Sequence, residues 1–141
     1  MKHLFLDTNI VLDLLGNREP HHLPAAHLFE YAERGAVTLY LSALSYNNLY
    51  YILKKSLATR DLVQVLSQLQ GLTRTLSMTD SMIESALASK FSDFEDALQY
   101  VAAQSEPTIQ AIVTRDRKGF KHSKIAVFSA EEAVGFVRTP S

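Results

Sequence analysis

The sequence of 141 residues contains no cysteine, which excludes disulfide frameworks and thiolate metal sites. It also lacks a long apolar run, because the first apolar segment, residues 3–6, is far too short for a signal-peptide core or a membrane span. Repeats and linker-like segments are missing as well. Hydrophobic residues make up 47% of the chain, which is enough for a sizeable core. We therefore expect one soluble, cytoplasmic domain that spans residues 1–141.

Strong positive charge is also missing: the net charge is −1, whereas proteins that coat DNA or RNA are usually strongly basic. Basic side chains are nevertheless concentrated between residues 115 and 124, where five lysines or arginines accompany a single acid. A local patch of this kind can bind a phosphate backbone. A solvated loop explains it as well, so the patch alone does not identify a partner.

Hydrophobic periodicity predicts strands that alternate with helices along the chain. The predicted strands are residues 3–6, 37–41, 73–76, 109–113 and 125–128. The predicted helices are residues 9–16, about 24–34, 43–55, and those that begin after Thr59, Thr79, Ser92 and Ser129. This alternation is typical of an α/β fold in which three α/β/α layers enclose a central, mostly parallel sheet of four to five strands.

Two details of these helices can be predicted from their side chains. The expected buried stripe of the fourth helix consists of Leu62, Val63, Leu66 and Leu69. Residues 92–95, Ser-Asp-Phe-Glu, match a capping box, in which the serine caps the next helix and the glutamate bonds back to it. Glu95 is therefore assigned a structural role.

Acidic side chains are predicted to meet at one edge of this sheet. Asp7 follows the first strand directly, and Asp116 lies three residues beyond Val113, the end of a later strand. Parallel strands bring their carboxyl ends to one edge, where the ligand sites of such sheets lie. Asp93 and Asp96 lie on one side of the first turn of a helix that could reach this edge. Because clustered carboxylates repel one another and hard cations prefer oxygen ligands, the cluster predicts an Mg²⁺ or Mn²⁺ site.

Each acid also has a structural explanation that the sequence leaves open. Asp7 could cap the helix that begins near residue 9, and Asp93 could be favoured only by the helix dipole. Asp116 could be an ordinary turn residue. Asp96 is harder to explain in this way, because it is flanked by apolar neighbours and an unpaired carboxylate near a buried face is costly.

Four short motifs together resemble the PIN domain family. They are Leu-Asp-Thr-Asn at residues 6–9, Leu-Ser-Ala at 41–43, Asp-Phe-Glu-Asp-Ala at 93–97 and Thr-Arg-Asp at 114–116, in the family's order and at similar spacing. The resemblance extends from residue 4 to about residue 120. PIN domains are small metal-dependent ribonucleases, and they include the VapC-like toxins of type II toxin–antitoxin pairs. The resemblance therefore implies a PIN-like α/β domain that hydrolyses RNA phosphodiester bonds.

The resemblance implies a role for each matching acid. Asp7, Asp96 and Asp116 match the first, third and fourth acidic positions of the family, and they would be the catalytic residues and the metal ligands. Asp93 would contribute a further carboxylate to the metal. A bound Mg²⁺ or Mn²⁺ ion would lower the pKa of a water molecule that attacks the phosphorus, and it would stabilise negative charge on the phosphate.

Asn48 is a departure from the family pattern. The second acid of PIN domains is usually a glutamate, but the matching position here is Asn48, and no acid occurs between Glu33 and Asp61. An amide oxygen can bind Mg²⁺ without contributing negative charge, so we expect weaker metal binding or a greater reliance on Asp93. The alternative function is therefore a catalytically degenerate PIN domain that only binds RNA or protein.

Further side chains and partners follow from the same resemblance. The residues expected to orient water or metal ligands are Asn9, Asn48 and Thr114. Arg115, Arg117 and Lys118 are the predicted RNA-binding residues, because they lie beside Asp116 in the sequence and could hold the RNA backbone. The resemblance also implies an RNA substrate, an antitoxin protein as a partner, and a homodimer.

Two other protein classes carry an aspartate after a parallel strand. A response-regulator phosphoacceptor domain also needs an acidic pair early in the chain, but residues 1–6 contain no acid. A haloacid-dehalogenase-like phosphatase needs a second aspartate two residues after the first, where this chain has Asn9. Both classes fit the sequence less well than the PIN family. A structural or protein-binding module is also compatible with the sequence, because a fold does not fix a function.

Overall fold

A computed structural model of the protein describes residues 1–140 and has an α/β fold. The strands are β1 (Lys2–Leu6), β2 (Val37–Ser42), β3 (Arg74–Leu76), β4 (Ala111–Val113) and β5 (Ala126–Phe128). The helices are α1 (Thr8–Leu15), α2 (His22–Glu33), α3 (Ala43–Leu53), α4 (Thr59–Leu72), α5 (Asp80–Leu87), α6 (Phe94–Gln104) and α7 (Ala130–Arg138), and a 3₁₀ turn covers Lys118–Phe120. None of the helices within residues 1–140 has the length and apolar composition needed to cross a membrane. Ser141, the last residue of the predicted domain, lies outside the described residues.

The five strands within residues 1–140 form one parallel sheet in the order β3-β2-β1-β4-β5. At the centre of the sheet, Leu4 of β1 pairs with Leu39 of β2 and with Ala111 of β4. Because the paired strands run in the same direction, the carboxyl ends of β1, β2 and β4 meet at one edge. The predicted α/β class and the predicted, mostly parallel sheet of four to five strands are confirmed.

Helices cover both faces of the sheet, which produces the three predicted layers. Alternate residues of β1 point to opposite faces. Leu4 and Leu6 pack in a core with residues of α1, α2 and α7. Phe5 packs in a second core with Ile112 of β4 and Tyr100 of α6. Each fully buried side chain of this size stabilises the fold by about 2 kcal/mol. Because neither face of this part of β1 meets water, Leu4, Phe5 and Leu6 are apolar at consecutive positions.

One prediction about α4 is wrong. Leu62 and Leu69 are buried as expected, but Val63 is 52% exposed. Neighbouring residues of an α-helix lie about 100° apart around its axis. Since α4 packs on the domain through one side only, Leu62 and Val63 cannot both face the core.

The start of α6 also differs from its prediction. The N-cap is Asp93 rather than Ser92, and the Asp93 carboxylate accepts a hydrogen bond from the backbone N–H of Asp96 (3.0 Å). Glu95 is therefore the second helical residue instead of the third, so it is too early in the helix to bond back to the cap. The predicted capping box at residues 92–95 is therefore wrong. A capping box is present at the start of α7, where Ser129 and Glu132 each bond to the other's backbone N–H.

Candidate active site

Acidic side chains meet in one cleft at the carboxyl edge of the sheet. The cleft has a volume of about 560 Å³, and it lies between the start of α1, one face of α3, the start of α6 and the turn after β4. Its lining includes Asp7, Asn48, Asp93, Glu95, Asp96 and Asp116. All four acids that the sequence singled out as metal ligands therefore lie together, and we name this site the acidic cleft.

Asp7 joins the end of β1 to the start of α1, and its side chain is only 5% exposed. Its Oδ1 atom accepts a hydrogen bond from the backbone N–H of Thr8 (2.8 Å), and its Oδ2 atom accepts one from the hydroxyl of Thr114 (2.8 Å). Burial raises the pKa of Asp7, and these two hydrogen bonds offset part of the rise. Asp7 is thus both the N-cap of α1 and a member of the acidic cleft.

The acid pair, Asp96 and Asp116, joins the first turn of α6 to the turn after β4 through a hydrogen bond between their carboxyl groups. Two carboxyl groups can make this bond only when one of them keeps its proton. Burial, followed by the charges of Asp7, Asp93 and Asp116, raises the pKa of Asp96 from 3.8 to about 7. The acid pair therefore lies at a point where a bound cation would be favoured.

Gly119, in the 3₁₀ turn, keeps space open for the acid pair. A β-carbon at this position would collide with the Oδ2 atoms of both Asp96 and Asp116. The backbone N–H of Gly119 also donates a hydrogen bond to Oδ1 of Asp116 (3.0 Å). The sequence did not identify this glycine, because glycine is common in polar turns and nothing nearby distinguishes it.

Glu95 is a member of the acidic cleft that the sequence prediction missed. Its Oε1 atom accepts a hydrogen bond from Nδ2 of Asn48 on α3 (3.0 Å). Burial and then the charges of Asp7 and Asp93 raise the pKa of Glu95, and the hydrogen bond from Asn48 opposes this rise. Serine and aspartate are comparable N-caps, so the one-residue shift that turns Glu95 toward the cleft could not be predicted from residue types.

Thr114 and Asn9 connect Asp7 to the turn after β4. The fully buried hydroxyl of Thr114 donates to Asp7 and accepts a hydrogen bond from the backbone N–H of Asp116 (3.0 Å). Nδ2 of Asn9 lies 3.4 Å from Oδ2 of Asp7. Oδ1 of Asn9 accepts a hydrogen bond from the backbone N–H of Arg115 (3.4 Å). These contacts hold Asp7 and Asp116 in fixed positions relative to each other.

Gln99 of α6 is the centre of a buried network directly behind the cleft. Its Oε1 accepts a hydrogen bond from the hydroxyl of Ser42 (2.6 Å), and its Nε2 donates to the hydroxyl oxygens of Ser45 (2.9 Å) and Thr8 (3.2 Å). The hydroxyls of Thr8 and Ser45 also bond to each other (2.9 Å). This set of four side chains, which we name the glutamine network, ties α1, α3 and α6 together. The sequence prediction did not include it.

The three predicted RNA-binding residues lie in different environments. Nε of Arg115 lies 2.7 Å from Oδ2 of Asp13, a carboxylate that is only 1% exposed. Arg117 forms an ion pair with Glu132 of α7. Both arginines line a separate cavity of about 430 Å³. Lys118 instead lines a groove that includes both members of the acid pair.

The chemistry of the acidic cleft suits a hard divalent cation. Its donors are carboxylate and amide oxygens, which Mg²⁺ and Mn²⁺ prefer. Raised pKa values at Asp7, Glu95 and Asp96 reflect burial and mutual repulsion, both of which a bound cation would relieve. Within residues 1–140, no three Asp, Glu or His side chains are already arranged to hold one ion jointly. Mg²⁺ commonly takes one or two carboxylates directly and keeps several waters, so this partly assembled donor set is compatible with it.

Comparison with known proteins identifies the family. The family model for the PIN domain matches residues 3–118. Ribonuclease VapC1 of Aquifex aeolicus (strain VF5) is 28% identical over 133 residues, which cover 92% of this chain and 91% of that protein. A toxin–antitoxin complex from Klebsiella pneumoniae contains a chain of similar fold, with a TM-score of 0.67 at 19% identity, covering 90% of this chain and 97% of that one. VapBC-1 from nontypeable Haemophilus influenzae also contains a chain of similar fold, with a TM-score of 0.65 at 17% identity, covering 92% of this chain and 98% of that one. The chain belongs to the PIN domain family.

Proposed function

We propose that this chain is a metal-dependent endoribonuclease of the VapC type, which hydrolyses RNA phosphodiester bonds. One observation carries the proposal: acids from the start of α1, from α6 and from the turn after β4 converge in a single cleft of a PIN domain. The family match covers residues 3–118, which include every acid of that cleft. The relative from Aquifex aeolicus is named a ribonuclease and aligns over most of both chains, which supports the same reaction here.

Asp7, Asp96 and Asp116 are the proposed catalytic residues and the proposed ligands of Mg²⁺ or Mn²⁺, with Asp93 beside them. Such an ion, when bound, activates water for attack and stabilises negative charge on a phosphate. Asp96 would release its proton on binding a cation, because a nearby positive charge lowers its raised pKa. Thr114 holds Asp7 by a hydrogen bond, so this carboxylate is oriented before substrate arrives.

Asn9 and Asn48 are proposed to orient groups around the metal through their side-chain amides, since both line the cleft. Lys118 is proposed as the closest contact to the RNA backbone, because it shares a groove with the acid pair. Arg115 and Arg117 are each engaged by an acid of the protein. They would therefore attract RNA by their positive charge at the rim of the cleft.

An RNA cleavage assay tests this function, with structured and single-stranded RNA in Mg²⁺, Mn²⁺ or EDTA. Asp7→Asn, Asp96→Asn and Asp116→Asn should each lose most of the cleavage, because each removes a charge that holds the metal. Asp80→Asn, which removes an exposed acid of α5, is the matched control and should cleave like the wild type. Cleavage that persists in Asp7→Asn, or in EDTA, would contradict the mechanism.

A catalytically degenerate PIN domain that binds RNA or protein is the second candidate. Asn48 favours it, because the resemblance implies an acid at this position and the chain has an amide there. Metal affinity depends on the number of charged ligands, so one missing charge could abolish turnover. This candidate predicts RNA binding by the wild type without cleavage in Mn²⁺, and binding that is unchanged by Asp7→Asn.

We further propose that residues 1–141 form a single cytoplasmic domain that acts as a homodimer and binds an antitoxin. Two of the similar structures are described as a toxin–antitoxin complex and as VapBC-1, which supports a protein partner of that type. On α3, at the rim of the cleft, Tyr51 is 60% exposed and Ile52 is 40% exposed, and such apolar side chains suit a protein contact. Light scattering, alone and after co-expression with the product of the adjacent gene, would test both assemblies.

A further inference from the structure

Helix α3 contributes amides rather than carboxylates to the acidic cleft. Asn47 and Asn48 line the cleft from this helix, and no acid occurs between Glu33 and Asp61. The resemblance to the PIN pattern implies an acid at the position of Asn48, so one expected negative charge is missing from this side. A charge can still reach the same point from a neighbouring helix.

Glu95 of α6 is the side chain that reaches this point. Its Oε1 atom lies 3.0 Å from Nδ2 of Asn48. The family pattern usually has a glutamate at this position, and its carboxylate would stand about one methylene group beyond the amide of Asn48. The Glu95 carboxylate therefore lies beside the position of the missing charge, in direct contact with the side chain that stands there instead.

The local structure of α6 makes Glu95, rather than Asp93, the better substitute. Asp93 uses its Oδ1 atom to cap the helix, by accepting the hydrogen bond from the backbone N–H of Asp96 (3.0 Å). Glu95 follows as the second helical residue, and its carboxylate accepts its hydrogen bond from α3. Asp93 therefore bonds within its own helix, whereas Glu95 bonds across the cleft to the helix that lacks an acid.

Electrostatics explains why an amide stands at position 48. Two carboxylates with oxygens 3.0 Å apart would repel each other, and one of them would have to be protonated. An amide N–H instead donates a hydrogen bond to Glu95 and adds no charge. Asn48 and Glu95 together therefore supply one negative charge, which is the number that a single acid on α3 would supply.

We propose that Glu95 is the fourth acid of the metal site, in place of the acid that the PIN pattern has on α3, and that Asn48 is the positioning residue that holds it there. The inference rests on the proposed function, because it assumes that the acidic cleft binds a divalent cation. Helix α6 then supplies two acids of the site, and α3 acts through an amide.

A double-mutant cycle on Mn²⁺ affinity tests the inference, with isothermal titration calorimetry as the readout and urea unfolding without metal as the check on folding. Glu95→Gln should weaken Mn²⁺ binding by about tenfold or more. Asn48→Glu should recover most of that loss in the Glu95→Gln background, because it returns one charge to α3. In the wild-type background Asn48→Glu should change the affinity by less than about threefold, because the two acids then repel each other.

Three results would overturn the inference. Glu95→Gln could bind Mn²⁺ as the wild type does, Asn48→Glu could have the same effect in both backgrounds, or Asp93→Asn could weaken binding more than Glu95→Gln. Glu106→Gln is the matched control, since it removes the same charge beyond the opposite end of α6 and should leave the affinity unchanged.

Asp7→Asn separates a failure of this inference from a failure of the proposed function. If Asp7→Asn loses Mn²⁺ binding and RNA cleavage while Glu95→Gln keeps both, only the role of Glu95 is wrong. If Asp7→Asn keeps both, the acidic cleft is not the metal site, and the inference and the proposed function fail together.

Discussion

Asp96→Asn should stabilise the metal-free protein, because it removes a carboxylate that the folded state disfavours. The rise of the Asp96 pKa from 3.8 to about 7 corresponds to an upper limit of about 4 kcal/mol, at about 1.4 kcal/mol per pH unit. Asp96 is only partly buried, so solvent screening should reduce the gain to about 1–2 kcal/mol. The new amide can donate to Asp116 the hydrogen bond that the protonated carboxyl donates in the wild type.

The sign of the pH dependence follows from the same pKa. Between about pH 4 and pH 7 the folded protein holds a proton on Asp96 that the unfolded chain has lost. The wild type therefore loses stability as the pH rises through this window, and the penalty is complete above about pH 7. The advantage of Asp96→Asn should be close to zero near pH 4 and should reach its full value by pH 8.

Urea unfolding at pH 5 and pH 8 in EDTA measures this advantage, and Asp80→Asn is its control. Asp80 also lies in the first turn of a helix. The stability change of Asp80→Asn therefore measures the loss of a favourable helix-dipole contact alone. Added Mg²⁺ should reverse the order, since it stabilises only the protein that binds it. A variant that is less stable than the wild type at pH 8 in EDTA, or a difference that does not change with pH, would refute the reasoning.

Three further substitutions test the surroundings of the acidic cleft. Gln99→Leu should lower the free energy of unfolding by about 2–3 kcal/mol in a urea titration, because it removes three buried hydrogen bonds. Gly119→Ala should weaken Mn²⁺ binding about tenfold in calorimetry, since its β-carbon displaces the acid pair. Its effect on stability should stay below about 1 kcal/mol, because only the ends of two side chains must move. Arg115→Ala should lower the melting temperature by about 5 °C or more, because Asp13 is left buried without its cation. Lys118→Ala, the control for this variant, should melt like the wild type.

The meeting of Asp7 and Asp116 could be predicted because it depends on strand ends alone. Each aspartate follows an apolar run, and parallel strands bring their carboxyl ends to one edge whatever the packing elsewhere. Val63 shows the opposite situation. Its exposure depends on how much of α4 the rest of the domain covers, and hydrophobic periodicity does not contain that information.

Glu95 and Gln99 could not be predicted, because their roles depend on contacts between distant parts of the chain. Glu95 meets a residue 47 positions away, and Gln99 meets one 57 positions away. Arg115 is similar: its neighbour Asp116 suggested a role in RNA binding, but its side chain pairs with Asp13, 102 positions away. Local motifs identify which residues belong to the site, whereas the partner of each side chain is fixed only by the packing of α3 and α6 around the sheet.

The acidic cleft needs rigid support that is itself uncharged. Carboxylates that repel one another cannot fix each other's positions, and added cations would compete with a bound metal. The glutamine network meets this need, because each of three members lies close to a residue of the cleft. Thr8 lies next to Asp7, Ser45 lies one helical turn before Asn48, and Gln99 lies one turn after Asp96. Its hydrogen bonds hold three helices in place without changing the charge of the site. With the backbones fixed in this way, an acid can be supplied from α6 instead of α3 while the charge stays beside the side chain at position 48.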